Sequence, residues 1–126
     1  DFNGMTVCSA TGSTPISNIK ENYPEIKTEE YDVYSACVDD LINGKVDAVT
    51  TDAAILIGYA AQYPDELKVL DGLFTEERYG VGIPKGDAAL LEHINTLFTD
   101  GGDTWQAIFD ATLGQSGIQV DQPAVD

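Results

Sequence analysis

Met5-Thr6-Val7-Cys8-Ser9-Ala10, then Thr11-Gly12-Ser13-Thr14-Pro15, and later Val46-Asp47-Ala48-Val49-Thr50-Thr51-Asp52 form the stretch whose reading decides the fold. The first run is a strand. The second is a glycine-containing turn, with proline where a first helical residue is favoured because its missing N–H costs nothing. The third is short, apolar and β-branched, as expected of a strand buried on both faces. If the two strands lie side by side in a parallel sheet, the turn at 11–14 and the Asp52 carboxylate emerge at the same edge. The turn offers backbone N–H groups to an anion and Asp52 a carboxylate to a cation, a pair that suits a zwitterion.

Between these strands the pattern predicts a helix from Pro15 to about Asn22, with Ile16 and Ile19 facing inward and Tyr23-Pro24 as its stop. A more exposed strand follows over 25–31. Asp32 then caps a helix over 33–43, in which Tyr34, Cys37, Val38, Leu41 and Ile42 recur at helical spacing; Gly44 ends it. The helix over 52–62 is apolar nearly all round and so should be heavily buried. Strands are expected over 67–70 and 79–84, the latter with Gly80 and Gly82 allowing close backbone approach, separated by an irregular charged crossing at 71–78.

Asp87 caps a helix striped by Leu90, Leu91, Ile94, Leu97 and Phe98, and Asp103 starts another carrying Trp105, Ile108, Phe109 and Leu113, ended by Gly114. Residues 115–126 read as a mobile tail. Strands alternating with helices call for right-handed parallel βαβ units, hence an α/β three-layer sandwich with a mostly parallel central sheet. Ligands of such sheets bind beyond the carboxyl ends of the strands, which puts the 11–14 turn and Asp52 in the cleft.

A chain of 126 residues and 43% hydrophobic content can bury a real core. No run approaches the roughly eighteen apolar residues of a membrane span, and the N-terminus lacks a signal-peptide pattern. With 22 acidic against 6 basic residues and a net charge of −16, nucleic acid and anionic membranes are unsuitable partners. An anion can bind only where local donors overcome this field. Cys8 and Cys37 have neither redox nor zinc spacing. They are a structural disulfide between a strand and the helix packed on it, or two buried thiols; the disulfide is the preferred reading and implies an oxidising compartment.

Each candidate has a plainer alternative. The 11–14 turn can be a simple strand-to-helix connection capped by Ser13 or Thr14, or an anion site built from the free amides of Ser13, Thr14 and the first helical turn. It is not a phosphate-binding loop, because no Gly-Lys-Ser/Thr follows and Lys20 lies too far down the helix. Asp52 can cap its helix, bind an ammonium, or both, with Asp47 and two threonines as polar company. His93 lies off the apolar stripe of its helix and reads as a surface residue. No nucleophile stands beside a base, which argues against an enzyme, and Asp39-Asp40 and 100–103 lack the ligand spacing of a calcium loop. No metal or cofactor is expected.

Five segments in order carry a resemblance: Gly4-Met5-Thr6-Val7-Cys8; Thr11-Gly12-Ser13-Thr14-Pro15; Asn43-Gly44-Lys45-Val46-Asp47-Ala48-Val49-Thr50-Thr51-Asp52; Tyr79-Gly80-Val81-Gly82-Ile83-Pro84-Lys85-Gly86-Asp87; and Thr104-Trp105-Gln106-Ala107-Ile108-Phe109. Together they resemble the extracytoplasmic solute-binding proteins of polar amino-acid ABC transporters, most closely the glutamate-binding proteins of actinobacteria. The resemblance implies one lobe of a type II periplasmic-binding-protein fold over 1–77, a returning strand and two helices of the other lobe over 78–114, and a flexible tail over 115–126. It further implies a fragment whose first lobe is mostly absent.

By the same resemblance, Ser13 and Thr14, with Thr11 and Gly12 in their turn, bind the α-carboxylate of the ligand, and Asp52 binds its α-ammonium. Arg78, near the crossing, is the candidate partner for a side-chain carboxylate. The implied function is capture of glutamate or a similar amino acid outside the cytoplasm and delivery to a permease. The alternatives are a sensory domain of the same fold and, less favoured, a small enzyme using Asp52 as a base. Residues 79–114, evolved to pack on the absent lobe, are expected to refold onto the present one, to exchange with a second copy, or to be disordered.

Overall fold

Thr6–Ala10 form the central strand, β1, of a computed structural model that describes residues 2–72, 75, 78–122 and 124. The chain divides into two compact units, 1–69 and 70–126. In the first, β1 is followed by α1 (Thr14–Asn22), β2 (Lys27–Tyr31), α2 (Tyr34–Ile42), β3 (Ala48–Val49) and α3 (Ala53–Gln62). The strand order is β2-β1-β3. Both neighbours run parallel to β1, with Ala10 opposite Tyr31 on one side and Cys8 opposite Val49 on the other.

The path from β1 to β2 moves one way across the sheet and the path from β2 to β3 moves back over β1. Right-handed crossovers therefore set α1 and α2 on opposite faces, which makes the α/β sandwich three-layered. Side chains alternate along β1 accordingly. Cys8 points to the α2 face, where it is disulfide-bonded to Cys37 with the Cα atoms 5.5 Å apart. These two fully buried cysteines and Val46 form a core against which Tyr31, Leu41 and Val49 pack. Val7 and Ser9 share the other face of β1, and α1 buries Ile16 and Ile19.

Several boundaries differ from the sequence expectation. Val33, in extended conformation, precedes α2 and no side chain caps that helix, so Asp32 is not its cap. Only Ile57 and Ala60 of α3 are buried. Ala53 and Ala54 offer little apolar area for a neighbour to cover, so a composition that is apolar all round does not bury all round. The strand expected over 67–70 does not form, because no ladder partner reaches it among the described residues.

The second unit contains α4 (Ala88–Asp100), α5 (Gly102–Ala111) and a 3₁₀ turn at Leu113–Ser116. Asp87 caps α4 as expected, its Oδ1 accepting the Leu90 amide at 3.0 Å. Gly101 joins the two helices, and a Cβ there would collide with the Leu97 carbonyl. Trp105 stacks on the buried Phe109 with ring centroids 5.2 Å apart. The Gln122 side chain donates to the Phe98 carbonyl.

The strand expected over 79–84 is absent, because a strand needs a lateral partner and none pairs with it among the described residues. Tyr79 and Val81 are exposed instead. The expected boundary at residue 77 and part of the expected tail, at 123 and 125–126, lie outside the described residues.

Candidate functional site

The β1–β3 pairing sets Val7 level with Ala48 and Cys8 level with Val49. The amide of Thr50 continues the ladder by donating to the Cys8 carbonyl at 2.9 Å. Carried forward, this register sets Thr11 level with Asp52. The turn after β1 and the residue that opens α3 therefore leave the same carboxyl edge of the sheet, on neighbouring strands. This is also the point where the strand order reverses, since β1 lies between β2 and β3.

Glycine makes the turn: Gly12 has φ +71°, a conformation that an L side chain resists. Thr11 stays with β2, donating its amide to the Tyr31 carbonyl at 2.9 Å and its hydroxyl to the same oxygen at 3.3 Å. The amide of Ser13 donates to the Ala10 carbonyl at 3.1 Å, so it is not one of the free donors expected from the sequence. Ser13 precedes α1 in extended conformation without a side-chain cap bond. The first-turn amides of Thr14 and Ile16 have no carbonyl within the helix to donate to, and Pro15 has no amide.

Asp52 stands at the N-terminus of α3 with φ −60° and ψ 140°, and its side chain makes no capping bond to the helix. Its carbonyl instead takes the amides of Ile55 and Leu56 at 3.0 and 3.2 Å. Asp47 is not the polar company that its proximity in sequence suggested. Its carboxylate accepts the Thr6 amide at 2.8 Å, at the amino end of β1 and hence the opposite edge of the sheet. Arg78 belongs to the second unit. Lys20 pairs with Glu30 at 2.5 Å across α1 and β2.

Two features escaped the sequence reading. Ser9, fully buried in the middle of β1, donates its hydroxyl to the Thr50 carbonyl at 2.7 Å and lies 3.1 Å from the Ser13 hydroxyl. A serine at an inward position of an apolar strand was the available signal. The second is the environment of Asp40, a residue read only as a doubtful calcium ligand. It is buried, accepts the Tyr31 hydroxyl at 2.6 Å on Oδ2, and accepts the Lys45 ammonium at 2.6 Å on Oδ1. The Lys45 hydrogen bond, then that of Tyr31, hold the Asp40 carboxyl below its ordinary value. The bond to Asp40 raises Lys45 and likewise raises Tyr31.

No family profile matches the chain. Over 129 aligned residues it is 40% identical to the glutamate-binding protein GluB of Corynebacterium glutamicum, covering 95% of this chain and 43% of that protein. Over 82 residues it is 44% identical to a glutamine-binding protein of Geobacillus stearothermophilus, covering 65% and 31% of the two chains. Over 124 residues it is 31% identical to the ABC transporter arginine-binding protein 1 of Escherichia coli, covering 91% and 50%.

Among solved structures, it superposes on an ancestral arginine-binding protein bound to arginine with a TM-score of 0.63 and 30% identity, over 88% of this chain and 51% of that one. A mutant arginine-binding protein from T. maritima gives 0.65 and 26%, over 90% and 49%. The chain thus spans about half or less of the length of the relatives it matches.

Proposed function

We propose that this chain, a homologue of the amino-acid solute-binding proteins of ABC transporters, forms one jaw of a two-lobed protein that captures glutamate or a similar polar amino acid outside the cytoplasm. The captured ligand is then delivered to a membrane permease. The observation that carries this reading is the shared sheet edge: amide donors at the start of α1 stand next to a carboxylate at the start of α3. An anion gains from the helix N-terminus and its orphan amides, an ammonium from Asp52, and an α-amino acid presents both charges on one carbon. In a chain of net charge −16, only such local donors make an anionic ligand acceptable.

In this assignment Thr14 and the first-turn amides take the α-carboxylate, with Gly12 and Thr11 shaping the turn and Ser13 beside it. Asp52 takes the α-ammonium. Residues 1–77 supply the jaw, 78–114 belong with the opposing lobe, 115–126 form the tail, and Arg78 meets the ligand's side chain. The disulfide between Cys8 and Cys37 fits an extracytoplasmic site of action. Because its relatives are binding proteins, the reading requires no chemistry on the ligand.

Isothermal titration calorimetry of the whole binding protein with glutamate, glutamine, aspartate and arginine tests the proposal. Saturable binding of at least one, without turnover of the ligand, is expected. Absence of binding to all four would overturn the reading.

A further inference from the structure

We infer that Ser9 is a positioning residue of this site, which ties the turn of Ser13 to the end of β3 and makes the Ser13 hydroxyl a hydrogen-bond acceptor towards the ligand. The inference rests on the amino-acid reading above. A serine hydroxyl has one hydrogen to donate, and that of Ser9 goes to the Thr50 carbonyl, which can only accept, at 2.7 Å. The contact of 3.1 Å between the Ser9 and Ser13 hydroxyls therefore has Ser13 as its donor and Ser9 as its acceptor.

The Ser13 hydroxyl has spent its hydrogen inward, and its amide is held by the Ala10 carbonyl. What Ser13 retains for a ligand is oxygen lone pairs. These suit an ammonium and repel a carboxylate. Ser13 thus acts on the cationic side of the ligand with Asp52, and the ligand carboxylate is left to the Thr14 hydroxyl and the first-turn amides. Composition suggests the opposite, since two adjacent hydroxyl residues at a helix start read as a pair of carboxylate donors.

Ser9 also fixes the spacing of the two halves of the site. Its bond to Thr50 spans β1 and β3 two residues before Asp52, and its bond to Ser13 reaches over the turn. A buried hydroxyl is costly without partners, and Ser9, at 0% exposure, meets that cost with these two bonds. Valine would suit the apolar strand better for packing alone. The polar residue is explained by what it holds.

The test uses the whole binding protein with variants Ser9→Ala, Ser9→Thr, Ser13→Ala and the double variant Ser9→Ala/Ser13→Ala, read by calorimetry and by urea unfolding. Each alanine variant should weaken binding of the amino-acid ligand about tenfold, the double variant should be no weaker than Ser13→Ala, and Ser9→Thr should restore binding. A purely structural serine would instead lower the unfolding midpoint and leave affinity unchanged, which overturns the inference. So do additive losses in the double variant.

Proton NMR of the chain itself separates this inference from the functional reading. The Ser9 and Ser13 hydroxyl protons should exchange slowly in the wild type, and that of Ser13 should become fast in Ser9→Ala. Fast exchange of both in the wild type overturns the role of Ser9 even if ligand binds. Slow exchange in a protein that binds no amino acid leaves the wiring intact and removes the function assigned to it.

Discussion

The Tyr31 hydroxyl donates to the Asp40 carboxylate at 2.6 Å, while the Tyr31 carbonyl holds both the amide and the hydroxyl of Thr11. One residue at the end of β2 thus connects the α2 helix and the Lys45 ammonium with the first residue of the candidate ligand turn. The chain of contacts Lys45–Asp40–Tyr31–Thr11 is a brace that ends on the candidate turn.

The brace should give stability a defined pH dependence. Asp40 is held below its ordinary 3.8, so its contribution is complete above that pH and is lost as pH falls through the lower folded value. Tyr31 and Lys45 are raised above their ordinary 10.0 and 10.5. Their contribution is complete below those values and is lost as pH rises through the folded ones. Urea midpoints of Asp40→Asn should therefore fall below wild type at neutral pH, with the gap closing at both extremes. A gap that stays constant across the whole range counts against the brace.

Reducing the Cys8–Cys37 bond should destabilise the first unit. The bond closes a sequence separation of 29 residues, which in the chain-entropy model stabilises the fold by about 3–4 kcal/mol. Urea unfolding of the Cys8→Ala/Cys37→Ala variant beside wild type measures the difference. The native protein should also be two protons lighter than its reduced form by mass spectrometry.

Substituting Gly12 should cost backbone energy rather than packing. An added Cβ meets nothing within 4 Å, but φ is +71°. Gly12→Ala should lose about 1–2 kcal/mol from the left-handed conformation alone. If ligand binding depends on the turn, the same variant should lose affinity as well; both are read from one set of unfolding and calorimetry experiments.

Asp52→Ala in the whole binding protein should weaken amino-acid binding by about 3 kcal/mol or more, because it leaves a desolvated ammonium without its anion. Unchanged affinity in calorimetry would remove Asp52 from the site.

The chain by itself should bind glutamate more weakly than about 1 μM, since it carries only part of the proposed contacts. It should also associate as its concentration rises, because Leu97, Ile108 and Val81 are each at least 58% exposed. Light scattering over a concentration series measures this, and Leu97→Glu/Ile108→Glu should return the mass to that of a monomer. A monomeric mass for wild type at every concentration contradicts it.

Local signals decided much of this protein. Pro15 after a glycine turn, the period of Cys37, Val38 and Leu41, and the β-branched run at 46–51 sufficed to predict alternating strands and helices. From these came the parallel sheet, the common edge of the 11–14 turn and Asp52, and the pairing of the two cysteines. Such features depend on neighbours in sequence and on a handedness rule common to all L-polypeptides.

Hydrogen-bond accounting across the sheet was a different matter. That Asp47 turns to the amino edge, that the Ser13 amide is already engaged, that Ser9 links Ser13 to Thr50, and that Asp40 is a buried partner of Tyr31 and Lys45 all depend on strand register. So does the failure of 67–70 and 79–84 to become strands, since a strand exists only by virtue of its lateral partner. Sequence by itself determined the alternation of strands and helices over 6–62 and the common edge of the 11–14 turn and Asp52. Tertiary structure alone decided where each polar hydrogen goes, because the partners that take those hydrogens lie up to 41 residues away along the chain.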